Sequence, residues 1–135
     1  IKGEIKMSPV LIHDREYKTV AERLHEMSTD TEGKYDLVTE VLGEANGAVL
    51  MKATLTLDRG MFVGHAYERE NAGYINKTSH VENCETSAIG RALASAGYAG
   101  SEFASADEVA NAITQQGEKK EVVEDTTDPY IDESW

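Results

Sequence analysis

Between residues 35 and 69 apolar and polar side chains alternate, and on either side of that stretch apolar residues recur at three- and four-residue spacing. Val49–Leu57 is the cleanest alternation: Val49, Met51, Ala53, Leu55 and Leu57 share one face, and Leu50, Lys52, Thr54 and Thr56 the other. That is the pattern of a strand buried on one side. Tyr35–Leu42 places Tyr35, Leu37, Thr39 and Val41 together in the same way, and Met61–Arg69 reads as a third strand. Asn46-Gly47 and Asp58-Arg59-Gly60 are turn sequences that join antiparallel neighbours, so the three runs predict a meander. A shorter run, Val10–Ile12 returning through Arg15–Tyr17, is a candidate hairpin that adds an edge.

Three helix starts carry the same device, a Ser or Thr followed three residues later by Glu, in which each side chain satisfies a backbone donor of the other. They are Thr19/Glu22, Ser79/Glu82 and Ser105/Glu108. The first predicts a short helix, Val20–Met27, with Val20, Leu24 and Met27 on one face. The second predicts a long helix, His80–Ala96, stopped by Gly97, and the third a helix over Ala106–Gln116, stopped by Gly117. The expected fold is therefore α+β: an antiparallel three-stranded meander packed by one long helix and flanked by shorter ones.

On the long helix Val81, Cys84, Ala88, Ile89, Ala92, Leu93 and Ala96 occupy one broad arc, with Glu85 inside it. A buried carboxylate needs a partner, so Glu85 either meets a cation or another subunit, or lies at the edge of the arc and reaches solvent. Arg91 sits at the rim, with Ser87 one turn before it and small residues around it that admit another backbone.

The chain has 135 residues, enough for one domain of ordinary size, and 40% are hydrophobic, enough for a core. No run approaches the ~18 apolar residues of a membrane span. The N-terminus carries no signal pattern, and the lone Cys84 excludes an internal disulfide and a multi-cysteine metal site. An intracellular, cytoplasmic setting is expected. The net charge is −12, but residues 47–100 hold five acids and five bases, so the acidity belongs to the flanks. Glu118–Trp135 has seven acids against two bases and no apolar period, which divides the chain into a domain over 1–117 and an acidic tail over 118–135. The tail is either a solubilising terminus or a partner-recruiting or DNA-mimicking one, and Tyr130, Ile131 and Trp135 are its anchor candidates.

Candidate chemistry gathers around the loop Glu70–Thr78, which runs into the long helix. A helix N-terminus attracts anions, and Lys77, Asn76, Thr78 and Ser79 stand beside this one, with Tyr74 as a stacking surface. Lys52, His65 and Arg69 lie on the neighbouring strands. His13, His25, His65 and His80 show no metal-ligand spacing, and no nucleophile motif, phosphate-cradling loop or dinucleotide fingerprint occurs. Asn76-Lys77-Thr78 matches a glycosylation sequon with no secretory signal to give it meaning. Neither catalysis nor a cofactor is expected.

The stretch Gly73-Tyr74-Ile75-Asn76-Lys77-Thr78-Ser79, with Glu82 to Ala94 after it, resembles small phage proteins related to the Erf-type single-strand annealing proteins. The same pattern is similar to the β-β-β-α annealing core of the eukaryotic recombination mediator, over about Tyr35 to Gly100. The resemblance implies sequence-independent binding of single-stranded DNA and strand annealing in phage recombination or replication, by protomers joined in a ring or open helix. It assigns the backbone contact to Arg91, supported by Lys77 and Arg69; related helices often carry two adjacent bases where this one has Gly90-Arg91. Tyr74, Asn76, Thr78, Ser79, Lys52 and His65 complete the expected DNA-binding set. Host or phage recombination proteins are expected partners of the tail. The alternatives are an acidic protein-interaction or anti-defence module that occupies a host protein's nucleic-acid site, and an enzyme acting on a nucleotide.

Overall fold

The computed structural model describes residues 10–12, 15–70 and 79–113. Strands β1 (Val10–Ile12) and β2 (Arg15–Tyr17) lead into α1 (Val20–Asp30), followed by β3 (Asp36–Ala45), β4 (Ala48–Leu57), β5 (Gly60–Arg69) and α2 (His80–Ser95). A further helical segment, α3, covers residues 106–113. The architecture is the expected α+β one. Among the described residues no helix is long and apolar enough to cross a membrane.

The meander forms an antiparallel sheet in the order β3-β4-β5. Asn46 and Gly47 both take left-handed backbone angles, φ 52 and 75, as a two-residue hairpin turn with the twist of the flanking strands requires. The β1–β2 hairpin forms as predicted but, among the described residues, pairs only with itself and does not extend the meander. Its position follows from its connections: only Lys18 and Thr19 separate it from α1, the Lys18 carbonyl accepts from Ala106 N–H at 2.9 Å, and Arg15 pairs with Glu102 at 3.5 Å.

Thr19 and Glu22 form the complete capping box. The helix behind it runs a turn beyond Met27, to Asp30, because Ser28, Thr29 and Asp30 continue the backbone ladder until Glu32 and Gly33 turn left-handed, at φ 55 and 77. Ser79 departs from expectation. Its own backbone is helical, at φ −94 and ψ −3, which takes its hydroxyl off the free amides, and its side chain makes no cap bond. The third box is half formed: Glu108 N–H donates to Ser105 Oγ at 3.1 Å, while the Glu108 carboxylate turns to Arg91.

The core lies between one face of the sheet and α2. Val49, Met51, Ala53, Leu55 and Leu57 meet Cys84, Ala88, Ala92 and Leu93, as the two apolar patterns require. Burial pushes the Cys84 thiol above its ordinary pKa. The approach is closest at Gly64, where an added Cβ would stand 2.3 Å from the Ala88 carbonyl oxygen and 2.4 Å from the Ala92 nitrogen. Only glycine lets the helix backbone come this near. α2 lies over β4 and β5 and only grazes β3, so Leu37 and Thr39 are half-buried while Val41 is exposed. A register shift between Val41 and Gly43 further breaks the alternation predicted for that strand. Glu85 is half-buried and accepts a hydrogen bond from Thr39 Oγ1 at 2.8 Å; among the described residues it pairs with no cation.

α1 crosses α2 at Gly90, where a Cβ would meet Val20 Cγ2 at 2.8 Å. Arg23 ties this corner together. It is fully buried, and its guanidinium donates to the carbonyls of Gly90 (2.8 Å), Glu102 (3.1 Å) and Ala104 (2.9 Å). Asp107 in turn accepts from Val20 N–H at 2.8 Å, which fastens the start of α3 to the start of α1.

Candidate nucleic-acid interface

The period-two geometry of β5 sends His65, Tyr67 and Arg69 to the face away from α2, and its register sets Lys52 beside His65 and Leu50 beside Tyr67. β5 is also an edge strand. A cleft of about 430 Å³ wraps this edge, reaching from Leu50, His65 and Tyr67 on the outer face past Glu68 to Ser87 and Arg91 of α2 and Glu108 and Asn111 of α3, so that among the described residues two carboxylates line it with the one guanidinium. Two of the nominated residues, His65 and Arg91, thus line one cavity although 26 positions separate them.

Arg91 is 44% exposed, and its Nη2 lies 3.0 Å from Glu108 Oε2. Glu108 is only 14% exposed, and its Oε1 is buried with no hydrogen-bond partner among the described residues. The guanidinium is therefore held by one oxygen of a largely buried carboxylate. Arg69 stands roughly 13 Å along β5 from His65 at strand rise. Its Nη2 donates to Tyr67 Oη at 2.8 Å, its Nη1 to the Asn46 carbonyl at 3.3 Å, and its charge sits 6.0 Å from the Tyr67 ring centre.

Ser79 lies apart. Twelve residues of helix place it roughly 18 Å from Arg91 along α2, so the two cannot hold one phosphate. Tyr74, Asn76, Lys77 and Thr78 lie outside the described residues, as does the tail Glu118–Trp135. Tyr67 was not singled out from the sequence. The signal was present, because the alternation that presents His65 and Arg69 on one face of β5 puts Tyr67 between them. Arg23 was overlooked for a different reason: nothing in its neighbourhood along the chain marks it as buried. A second, smaller groove, about 340 Å³, runs between α2 and α3 past Asn83, Thr86, Ser87 and Asn111. Among the described residues no cluster of His, Cys, Asp and Glu is placed to hold a metal ion.

No curated protein and no solved structure matches the chain. Residues 30–96 match a family model described as the Slr1353 N-terminal dsRNA-binding domain-like domain, which is not the annealing family that the stretch Gly73–Ala94 resembles. The matched segment is just under half of the 135 residues and runs from the last residue of α1 to the C-cap of α2. Over the three strands and α2, and with them Lys52, His65, Arg69, Ser79 and Arg91, the chain is similar to a domain of the double-stranded-RNA-binding type.

Proposed function

We propose that this chain is a non-catalytic nucleic-acid-binding protein that holds the backbone of single-stranded DNA along the outer edge of β5 and supports strand annealing in phage recombination or replication. The observation that carries the reading is the placement of Arg91 and His65 in one cleft, with Lys52 beside His65 on β4 and Arg69 farther along the edge strand β5. Cations aimed at phosphates bind without regard to sequence, and a strand held by its backbone keeps the pairing edges of its bases available. The resemblance of Gly73–Ala94 to annealing proteins supports the finer assignment. Among the described residues both outer edges of the β3-β4-β5 sheet are unpaired, which favours assembly of protomers into a ring or open helix. The setting is the cytoplasm of the infected cell, and the acidic tail is the contact for recombination proteins.

A second reading, double-stranded RNA as ligand, is favoured by the description of the matched family. Titration of the full chain with labelled oligo-dT and with duplex RNA of equal length, each at two salt concentrations, separates the two. Single-strand binding that weakens with salt is expected, and Arg91→Ala should lower the log–log salt slope by about 0.7, the loss of one single-strand phosphate contact. The fold should survive, because the truncated side chain is half exposed. Preference for duplex RNA would favour the second reading. Normal oligo-dT binding by Arg91→Ala would remove the site, and absence of binding to either probe would favour the acidic protein-interaction module.

A further inference from the structure

The helices cover one face of the sheet, and among the described residues no element packs on the other. That outer face is not polar. Val38, Leu50, Met61, Val63 and Tyr67 are exposed on it, with Met61 at 67% and Tyr67 at 59%. An exposed apolar patch with polar residues set into it marks an interaction surface.

We infer that the outer face of β4 and β5 is a stacking platform for unpaired nucleobases, on which a single strand lies with its bases over Tyr67 and its apolar neighbours and its phosphates toward the cations of the β5 edge. The inference rests on the nucleic-acid reading above and adds to it the surface that takes the bases. Charge placement selects this occupant. Lys52, His65 and Arg69 alternate with Leu50, Val63 and Tyr67 across β4 and β5; the acids of this face, Asp36 and Glu40, lie on β3, with Glu40 directly opposite Lys52, and β5 carries no acid on it. An extended polyanion with flat apolar bases matches such an alternation, with its backbone drawn to the β5 side. Arg69 holds the Tyr67 phenol by its hydroxyl, so the ring is presented in a set orientation before any base arrives. The platform is continuous with the cleft, since Leu50, His65 and Tyr67 belong to both. A duplex keeps its bases stacked inside and offers this surface nothing but phosphates, so single strands are preferred.

The test uses the full chain and three probes with equal numbers of phosphates: oligo-dA, an abasic deoxyribose-phosphate oligomer, and duplex DNA. Tyr67→Ala should weaken oligo-dA binding at least ~5-fold, the effect of losing one stacked base, and leave the abasic probe unchanged. Tyr67→Phe, which keeps the ring, should retain affinity within about two-fold on the same grounds. Arg91→Ala should weaken both single-stranded probes alike. Circular dichroism of each variant confirms that the fold is kept; should Tyr67→Ala fail to fold, Leu50→Ala and Val63→Ala carry the same comparison. Unchanged oligo-dA affinity in Tyr67→Ala, together with weakened binding in Arg91→Ala, overturns the platform and leaves the backbone reading standing. Unchanged affinity in both, or duplex bound as tightly as oligo-dA, overturns the platform as well, and absence of binding to all three probes overturns both readings. A change in particle size in Tyr67→Ala without a change in affinity assigns the face to a second copy of the chain and likewise overturns the inference.

Discussion

Replacing Arg23 by Met tests the account of the helical corner most severely. The substitution keeps an unbranched apolar chain in the space and removes the three N–H donors that reach Gly90, Glu102 and Ala104. A hydrogen bond to a charged group contributes about 1.5–3 kcal/mol, and a buried acceptor left without its donor costs about 1–3 kcal/mol. Three bonds at the lower figure give roughly 4.5 kcal/mol. Met recovers part of this, because the guanidinium is itself costly to bury, as the lowering of its pKa by desolvation shows. A net loss of about 3–4 kcal/mol is expected, a large share of the ~5–15 kcal/mol that holds a domain together. With a urea slope of about 2 kcal/mol per M, the unfolding midpoint should fall by roughly 1.5–2 M. Arg23→Lys should recover little, since one ammonium cannot span three carbonyls set by a planar fork. Urea titrations of the three proteins followed by circular dichroism supply the measurement. A loss below about 1 kcal/mol in Arg23→Met would refute the argument, because it would mean that the carbonyls find other donors at no cost.

Gly64→Ala forces a methyl group into backbone atoms of α2 at 2.3 and 2.4 Å, so the helix must shift; a loss of about 1–3 kcal/mol or more is expected in the same urea titration. Glu108→Gln removes the charge that occupies Arg91 at 3.0 Å while keeping the shape of the side chain, and should tighten oligo-dT binding several-fold at low salt, with Arg91→Ala in the same background abolishing the gain. Unchanged affinity in Glu108→Gln would show that Arg91 does not meet phosphate.

Much of the site was legible as parts and little of it as a whole. Alternation along Met61–Arg69 puts His65 and Arg69 on one strand face, and the arc of α2 puts Arg91 at its rim, before any coordinates are known. That Arg91 and His65 share a cleft depends on where α2 crosses the sheet, and the crossing is set by Gly64, whose role no local pattern announces. The pairing of Arg91 with Glu108 was hidden for a related reason. Ser105-Ala106-Asp107-Glu108 has the form of a capping box, and in a free helix Glu108 would turn back to its own N-terminus; here its carboxylate pairs with the Arg91 guanidinium instead.

The strands, their turns, the α2 core stripe and the complete cap at Thr19 follow from sequence because each rests on interactions within a few residues or on a burial period that repeats along one element. Their order along the chain is enough to specify an α+β meander with a long helix. What the chain order does not contain is the distance between elements. The separate β1–β2 hairpin, the exposed end of β3 at Val41, the burial of Arg23 and the uncovered apolar face of β4 and β5 were all decided by which surfaces α1, α2 and α3 cover. Helices of finite width can shield only part of a three-stranded sheet. Which part is settled by close contacts at single glycines and by buried bonds between residues some 70 to 80 positions apart, such as Arg23 to Gly90, Glu102 and Ala104, and those exist only in the folded molecule.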